Sequence, residues 1–240
     1  MPDEVNHLGQ PVGFLVANWK FRPPPPRTPM VGSYCRVEPF DIEKHATDLY
    51  TGYTTDHHNR IWTYLPHGPY PRLEDYLERV RTAYLGDDPL VHAIIDRRNG
   101  KPLGQASYMN IDPRIGCIEV GGIIYAPALQ RTTAATEAMY LMMRRVFDEL
   151  GYRRLAWQCN ALNGPSRVAA QRLGFVFEGI FRHASVSKGR NRDTAWFSML
   201  DHEWPARKDA FERWLDPINF DSSGRQRFSL SSLFRMAAAP

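Results

Sequence analysis

An apolar strand pattern from Cys117 to Tyr125 runs straight into the polar turn Pro127-Ala-Leu-Gln-Arg-Thr-Thr-Ala-Ala135, and a long helical pattern follows to Leu150. This order constrains the chain most. A helix that starts just beyond a strand leaves its first backbone N–H groups unpaired and aims them, with the positive end of its dipole, at one spot. Such a spot suits a phosphate, and Ala134 and Ala135 put no bulk in front of the donors. The same residues also read as an ordinary helix start capped by Thr132 or Thr133.

The periodicity around this turn predicts an alternation of strands and helices. Ala135, Ala138, Met139, Met142, Val146 and Leu150 share one helical face, with Arg144, Arg145 and Asp148 elsewhere and Gly151 as the stop. Beyond it come a strand Leu155 to Cys159, a short helix Pro165 to Leu173 stopped by Gly174, and a strand Phe175 to His183. A hairpin around Lys188-Gly-Arg-Asn191 then leads to a strand Thr194 to Leu200. Upstream, a strand Tyr34 to Phe40 precedes a helix Ile42 to Tyr53 behind the N-cap Asp41. A loop or broken helix, Asp56 to Tyr70, leads to a helix Leu73 to Leu85, then strands Leu90 to Ile95, Leu103 to Ile111 and Cys117 to Tyr125, with Asn99-Gly100 as a hairpin turn. Residues 1–32 form an extension ending in Arg22-Pro-Pro-Pro-Pro-Arg-Thr-Pro29, an extended linker, a surface arm or a docking motif. Residues 33–204 are the domain, and 205–240 a helix from about Glu203 to Leu215 with a mobile tail from Asp221.

With 240 residues, 43% hydrophobic and 23% charged, the chain can bury one domain with extensions. A net charge of +4 is too small to argue for nucleic acid and remains compatible with an acidic ligand. Cys35, Cys117 and Cys159 are odd in number and have neither CxxC nor Cys/His spacing, so no metal is expected and a reducing compartment is. The N-terminus has no basic stretch before an apolar core, and no window approaches the roughly 18 apolar residues of a membrane helix. The expectation is a soluble, cytoplasmic protein with no membrane partner.

Three blocks, Gln130-Arg-Thr-Thr-Ala-Ala135 running into Thr136-Glu-Ala138, then Asn163-Gly-Pro-Ser166, then Leu173-Gly-Phe175, resemble those of the GCN5-related N-acetyltransferases. The likeness runs from about Tyr34 to Trp204 and is strongest to the Rim-type branch, which acetylates protein N-termini among other amines. It implies an α/β acyl-CoA N-acyltransferase fold: a mixed, mostly antiparallel central sheet, splayed at its middle, with helices on both faces. It also implies acetyl-CoA as cosubstrate and CoA as product, held by Ile124, Tyr125, Gln130, Arg131, Thr132, Thr133, Ala134, Ala135 and Thr136, with Asn163 and Ser166 beside the pantetheine arm. Thr133 stands where the family has a glycine. An amide both donates and accepts, as a pantetheine amide requires. Asn163 and Ser166 equally suit the cap of the helix near Pro165.

Acetylating an amine needs a group that takes a proton from the ammonium and one that protonates the departing thiolate. Glu119 is the candidate base, a lone carboxylate in the apolar strand Ile118-Glu-Val-Gly-Gly122, where Gly121 and Gly122 leave room for a ligand; such a residue can also face solvent or pair with an arginine. The tyrosine many relatives use as acid is here Ala170, or Gln171, and Ser166 is the nearest substitute. By the same resemblance Trp62, Tyr64 and His67, with His57 and His58, line the acceptor side or form a hydrophobic plug, while His92 packs in a strand. In the hairpin Ser187 to Asp193, Arg190 with Lys188 and Arg192 either recruits an acidic group or forms a solvated tip, and Asp193 can grip an amine. Direct attack is expected because no cysteine neighbours a histidine base, Cys159 being the residue to check. The expected activity is acetyl transfer to a primary amine, a protein N-terminus or a small molecule. The alternative is a non-catalytic acyl-CoA-binding regulatory module, and the arm and tail offer material for a homodimer.

Overall fold

A computed structural model describes residues 4–237. A small hairpin, β1 (Glu4–Val5) with β2 (Pro11–Val12), precedes an eight-stranded sheet. Its strands are β3 (Met30–Val31), β4 (Cys35–Pro39), β5 (Leu90–Asp96), β6 (Pro102–Asp112), β7 (Cys117–Tyr125), β8 (Arg154–Asn160), β9 (Val176–Ser187) and β10 (Arg190–Leu200). They lie in the order β3-β4-β5-β6-β7-β8-β10-β9, antiparallel throughout except where β7 meets β8.

Both faces are covered, which the alternation along β5 makes plain. Leu90 and Ile94 join a core with α3 (Thr133–Arg144), α4 (Gly164–Arg172), α5 (Trp204–Leu215) and α6 (Leu230–Ala237). Val91, Ala93 and Ile95 join a second core with α1 (Ile42–Thr54) and α2 (Leu73–Ala83). Asp41 caps α1 by accepting from the N–H groups of Glu43 and Lys44. The mixed, mostly antiparallel sheet with helices on both faces is the arrangement the family resemblance implies.

β7 and β8 are paired only through Cys117 with Arg154, Ile118 with Leu155 and Glu119 with Ala156. Beyond that point the two strands part. β7 bulges there: Ser107 lies opposite Gly121 and Gln105 opposite Ile124, and Gly122 takes a φ of +58° that a side chain would disfavour.

Three sequence expectations change. Regular structure begins before Tyr34, because Met30–Val31 pairs with β4. Arg145, placed off the apolar face of its helix, is buried: its guanidinium donates to the carbonyls of Thr28 (2.7 Å) and Pro29 (3.3 Å) and pairs with Glu149, so it fastens the proline-rich arm to the domain. The stretch after Asp221, expected to be mobile, instead forms α6, with Leu230, Leu233 and Phe234 buried and Phe234 edge-on to Phe211. Those residues recur at helical spacing within a serine-rich stretch whose composition hides them.

Candidate active site

Past Glu119 and Ala156 the facing edges of β7 and β8 no longer pair with each other, so the ladder between them ends there. The turn before α3 follows directly from the end of β7. The N–H groups of Leu129 and Gln130 bond to the Ala126 carbonyl, the Gln130 side chain donates to the Tyr125 carbonyl (3.0 Å), and Thr132 Oγ1 accepts from the Ala135 N–H (3.1 Å). Arg131 has a φ of +61°, whereas Thr133 is the first helical residue. The left-handed conformation therefore falls two residues before the threonine, which is how a β-branched residue is accommodated where the family has glycine. The N–H groups of Arg131, Thr133 and Ala134 find no acceptor among the described residues. Three unpaired donors thus point out of the start of a twelve-residue helix, a local geometry that suits an anion.

Other candidate cofactor residues are turned to structural partners. Thr136 is buried, and its Oγ1 accepts from Arg172 Nη1 (3.1 Å). Ile124 packs in the α1–α2 core with its carbonyl 3.5 Å from the Tyr53 hydroxyl, and burial pushes the Tyr125 phenol up. Asn163 caps α4 by accepting from the Ser166 N–H (3.2 Å). Ser166 Oγ accepts from Trp157 Nε1 (3.1 Å), which leaves its own O–H to donate. Burial pushes the Cys159 thiol up, with Ser166 partly offsetting it. Arg172 went unnoticed in the sequence. Its guanidinium lies 5.1 Å from the centroid of the Trp214 ring, burial lowers its pKa, and no carboxylate pairs with it among the described residues. The available signal was an arginine directly before Leu173-Gly-Phe175 with no acidic residue at helical spacing.

Glu119 stands at the fork and is 3% exposed. Its Oε2 accepts from Asn110 Nδ2 (2.7 Å) and Gln158 Nε2 (2.8 Å). Burial pushes its pKa up, the two amides and the nearby Arg192 charge pull it back, and the net direction is upward. Gly121 makes room for this carboxylate itself, since a Cβ there would lie 2.8 Å from Glu119 Oε1.

The aromatic loop and the β9–β10 hairpin touch at Trp62 and Lys188. Trp62 is buried edge-on against Tyr53 (5.5 Å) and Tyr70 (5.4 Å). His67 Nδ1 lies 3.0 Å from the Tyr70 hydroxyl, and burial with the charges of Arg79 and Lys188 lowers its pKa to about 4. Trp62 and His67 thus form a packed plug, with Tyr64 half-buried on the same loop. Lys188 Nζ donates to the Trp62 carbonyl (2.8 Å) and ties the hairpin tip to it. Arg190 is exposed, while Asp193 Oδ1 accepts from the His183 N–H (2.8 Å) and Asn191 Nδ2 (3.0 Å), so that oxygen is engaged within the hairpin. His92 is buried in β5 with a pKa lowered to about 4 by burial. Among the described residues no cluster of His, Cys, Asp and Glu could hold a metal, and no helix is long and apolar enough to cross a membrane.

The acetyltransferase (GNAT) domain family matches residues 36–176. A solved GCN5-related N-acetyltransferase from Brucella melitensis is 46% identical with a TM-score of 0.90, over 92% of this chain and 100% of that one. A GNAT-family acetyltransferase structure from Chromobacterium violaceum is 36% identical with a TM-score of 0.77, over 82% of this chain and 98% of that one. YdaF of Bacillus subtilis, which carries the name ribosomal N-acetyltransferase, is 29% identical over 110 residues; these are 46% of this chain and only 60% of YdaF.

Proposed function

The chain belongs to the GNAT acetyltransferase family, and from that premise we propose that it transfers the acetyl group of acetyl-CoA to a primary amine, a protein N-terminus or a small molecule, by direct attack. The observation that carries this reading is the fork where β7 and β8 part, with a helix start above it and a buried carboxylate at its base.

Acetyl-CoA supplies an activated acyl thioester. The N–H groups of Arg131, Thr133 and Ala134, with the unpaired Arg172 one helix away, suit its diphosphate. The free edges of β7 and β8 and the amide of Asn163 suit the pantetheine arm. Glu119 takes a proton from the incoming ammonium, a task its raised pKa favours. The Ser166 hydroxyl is the donor available to the departing sulfur. A thiol held protonated at Cys159 favours direct attack over an acyl-enzyme.

The test is a free-thiol assay with acetyl-CoA and a panel of peptide N-termini, polyamines and aminoglycosides. Amine-dependent thiol release is expected. Tight CoA binding with no release on any acceptor would make the protein a CoA-binding regulatory module instead.

A further inference from the structure

The β9–β10 hairpin contains a bulge that the transfer reaction does not explain. Arg192 pairs with Ser185 and Thr194 with Phe181, so three residues of β9, Arg182 to Ala184, lie opposite Asp193 alone. His183 has a φ of +50°, its N–H donates to Asp193 Oδ1 (2.8 Å), and the Asp193 carbonyl accepts from the Ala161 N–H (2.8 Å). A bulge of this kind bends its ribbon and re-aims the side chains beside it.

The residue beside it is Arg192. It is half-buried, its Nε is shielded from solvent with no acceptor among the described residues, and no carboxylate pairs with it there. Its charge reaches the fork, where it favours the ionised forms of both Glu119 and Cys159. The rest of the hairpin tip adds Lys188 and Arg190, and the tip is tied to the aromatic loop at Trp62. A partly desolvated guanidinium without a counter-ion is unfavourable unless a ligand completes it, and its planar fork matches a carboxylate. An ammonium alone would be repelled by Arg192. An acceptor with its ammonium toward Glu119 and a carboxylate toward Arg192 would be oriented by both.

We propose that Arg192 selects acceptors that carry a carboxylate close to the reactive amine, and that the Asp193 bulge positions it to do so. This rests on the acetyltransferase reading above.

The test is calorimetric titration of the CoA-saturated protein with two matched pairs: a Ser-Glu-Ala-Ala peptide against Ser-Gln-Ala-Ala, both with amidated C-termini, and free serine against serinamide. Wild type is expected to bind the acidic member of at least one pair about tenfold tighter or more, as a charge-assisted bond implies. The pair that discriminates tells a peptide side chain from a free amino acid as the source of the carboxylate. Arg192→Gln is expected to remove the preference and Arg192→Lys to keep part of it, with CoA affinity unchanged in both as the check on folding. Equal binding of both members of each pair by wild type, no binding of any, or a preference that survives Arg192→Gln would overturn the proposal. Binding is read without turnover, so failure of the acetyltransferase reading shows separately, as the absence of thiol release.

Discussion

Glu119 owes its chemical character to where it is buried more than to what it touches. Desolvation raises its pKa against the pull of two amides and one arginine charge. A raised pKa keeps the acid form to higher pH, so the acid limb of kcat/KM is expected to titrate above the ordinary glutamate range, with activity lost as pH falls through it. Glu119→Gln is expected to lower kcat by roughly 10²- to 10⁴-fold, abolish that limb and leave CoA affinity unchanged; full activity in the variant would move the base elsewhere. His67, held to about 4, stays neutral through the range where a histidine usually titrates and does not compete for the assignment. The sequence already singled out Glu119, because one carboxylate in an apolar strand is conspicuous. It did not show Arg192 as the orphan of its hairpin, because the strand bulge that isolates it has no local signature.

The helix α3 works at both its edge and its end. Its second turn carries Glu137, whose carboxylate accepts from the backbone N–H groups of Ser33, Tyr34 and Cys35, each at 2.7 Å, and so pins the start of β4 to the helix. Glu137→Leu is expected to cost about 3 kcal/mol in denaturant unfolding, since it leaves three N–H groups without an acceptor. At the helix start, Arg172→Gln is expected to weaken CoA binding about tenfold and flatten its salt dependence; unchanged affinity would make Arg172 a packing residue held by Trp214. The start of α3 and its threonine cap were legible from apolar spacing and turn chemistry, whereas its end at Arg144 was not: the spacing continues to Leu150 through the wider π-helical turn Arg145–Glu149. Glu137 and Arg145 were not, because charged residues on a helix read as a solvated face and their partners lie about a hundred residues away in sequence.

Across the whole molecule, the order of strands and helices followed from periodicity, whereas the parting of β7 and β8 was reachable only through the resemblance. Where a pairing stops depends on a bulge and a positive-φ glycine, and neither alters the apolar pattern. The C-terminal segment shows the opposite error, in which composition concealed a packed helix. Ending the chain at Ser229 uncovers Phe211 and is expected to lower stability by roughly 3 kcal/mol in thermal or denaturant unfolding. These parts converge on one claim, that the fork and the helix start above it form an acyl-CoA site. Calorimetric titration of CoA into wild type and Thr133→Glu tests it most directly. Saturable one-to-one binding by wild type, weakened about tenfold or more when a carboxylate faces the diphosphate, is the expected result; no binding by wild type, or equal affinity in the variant, would contradict it.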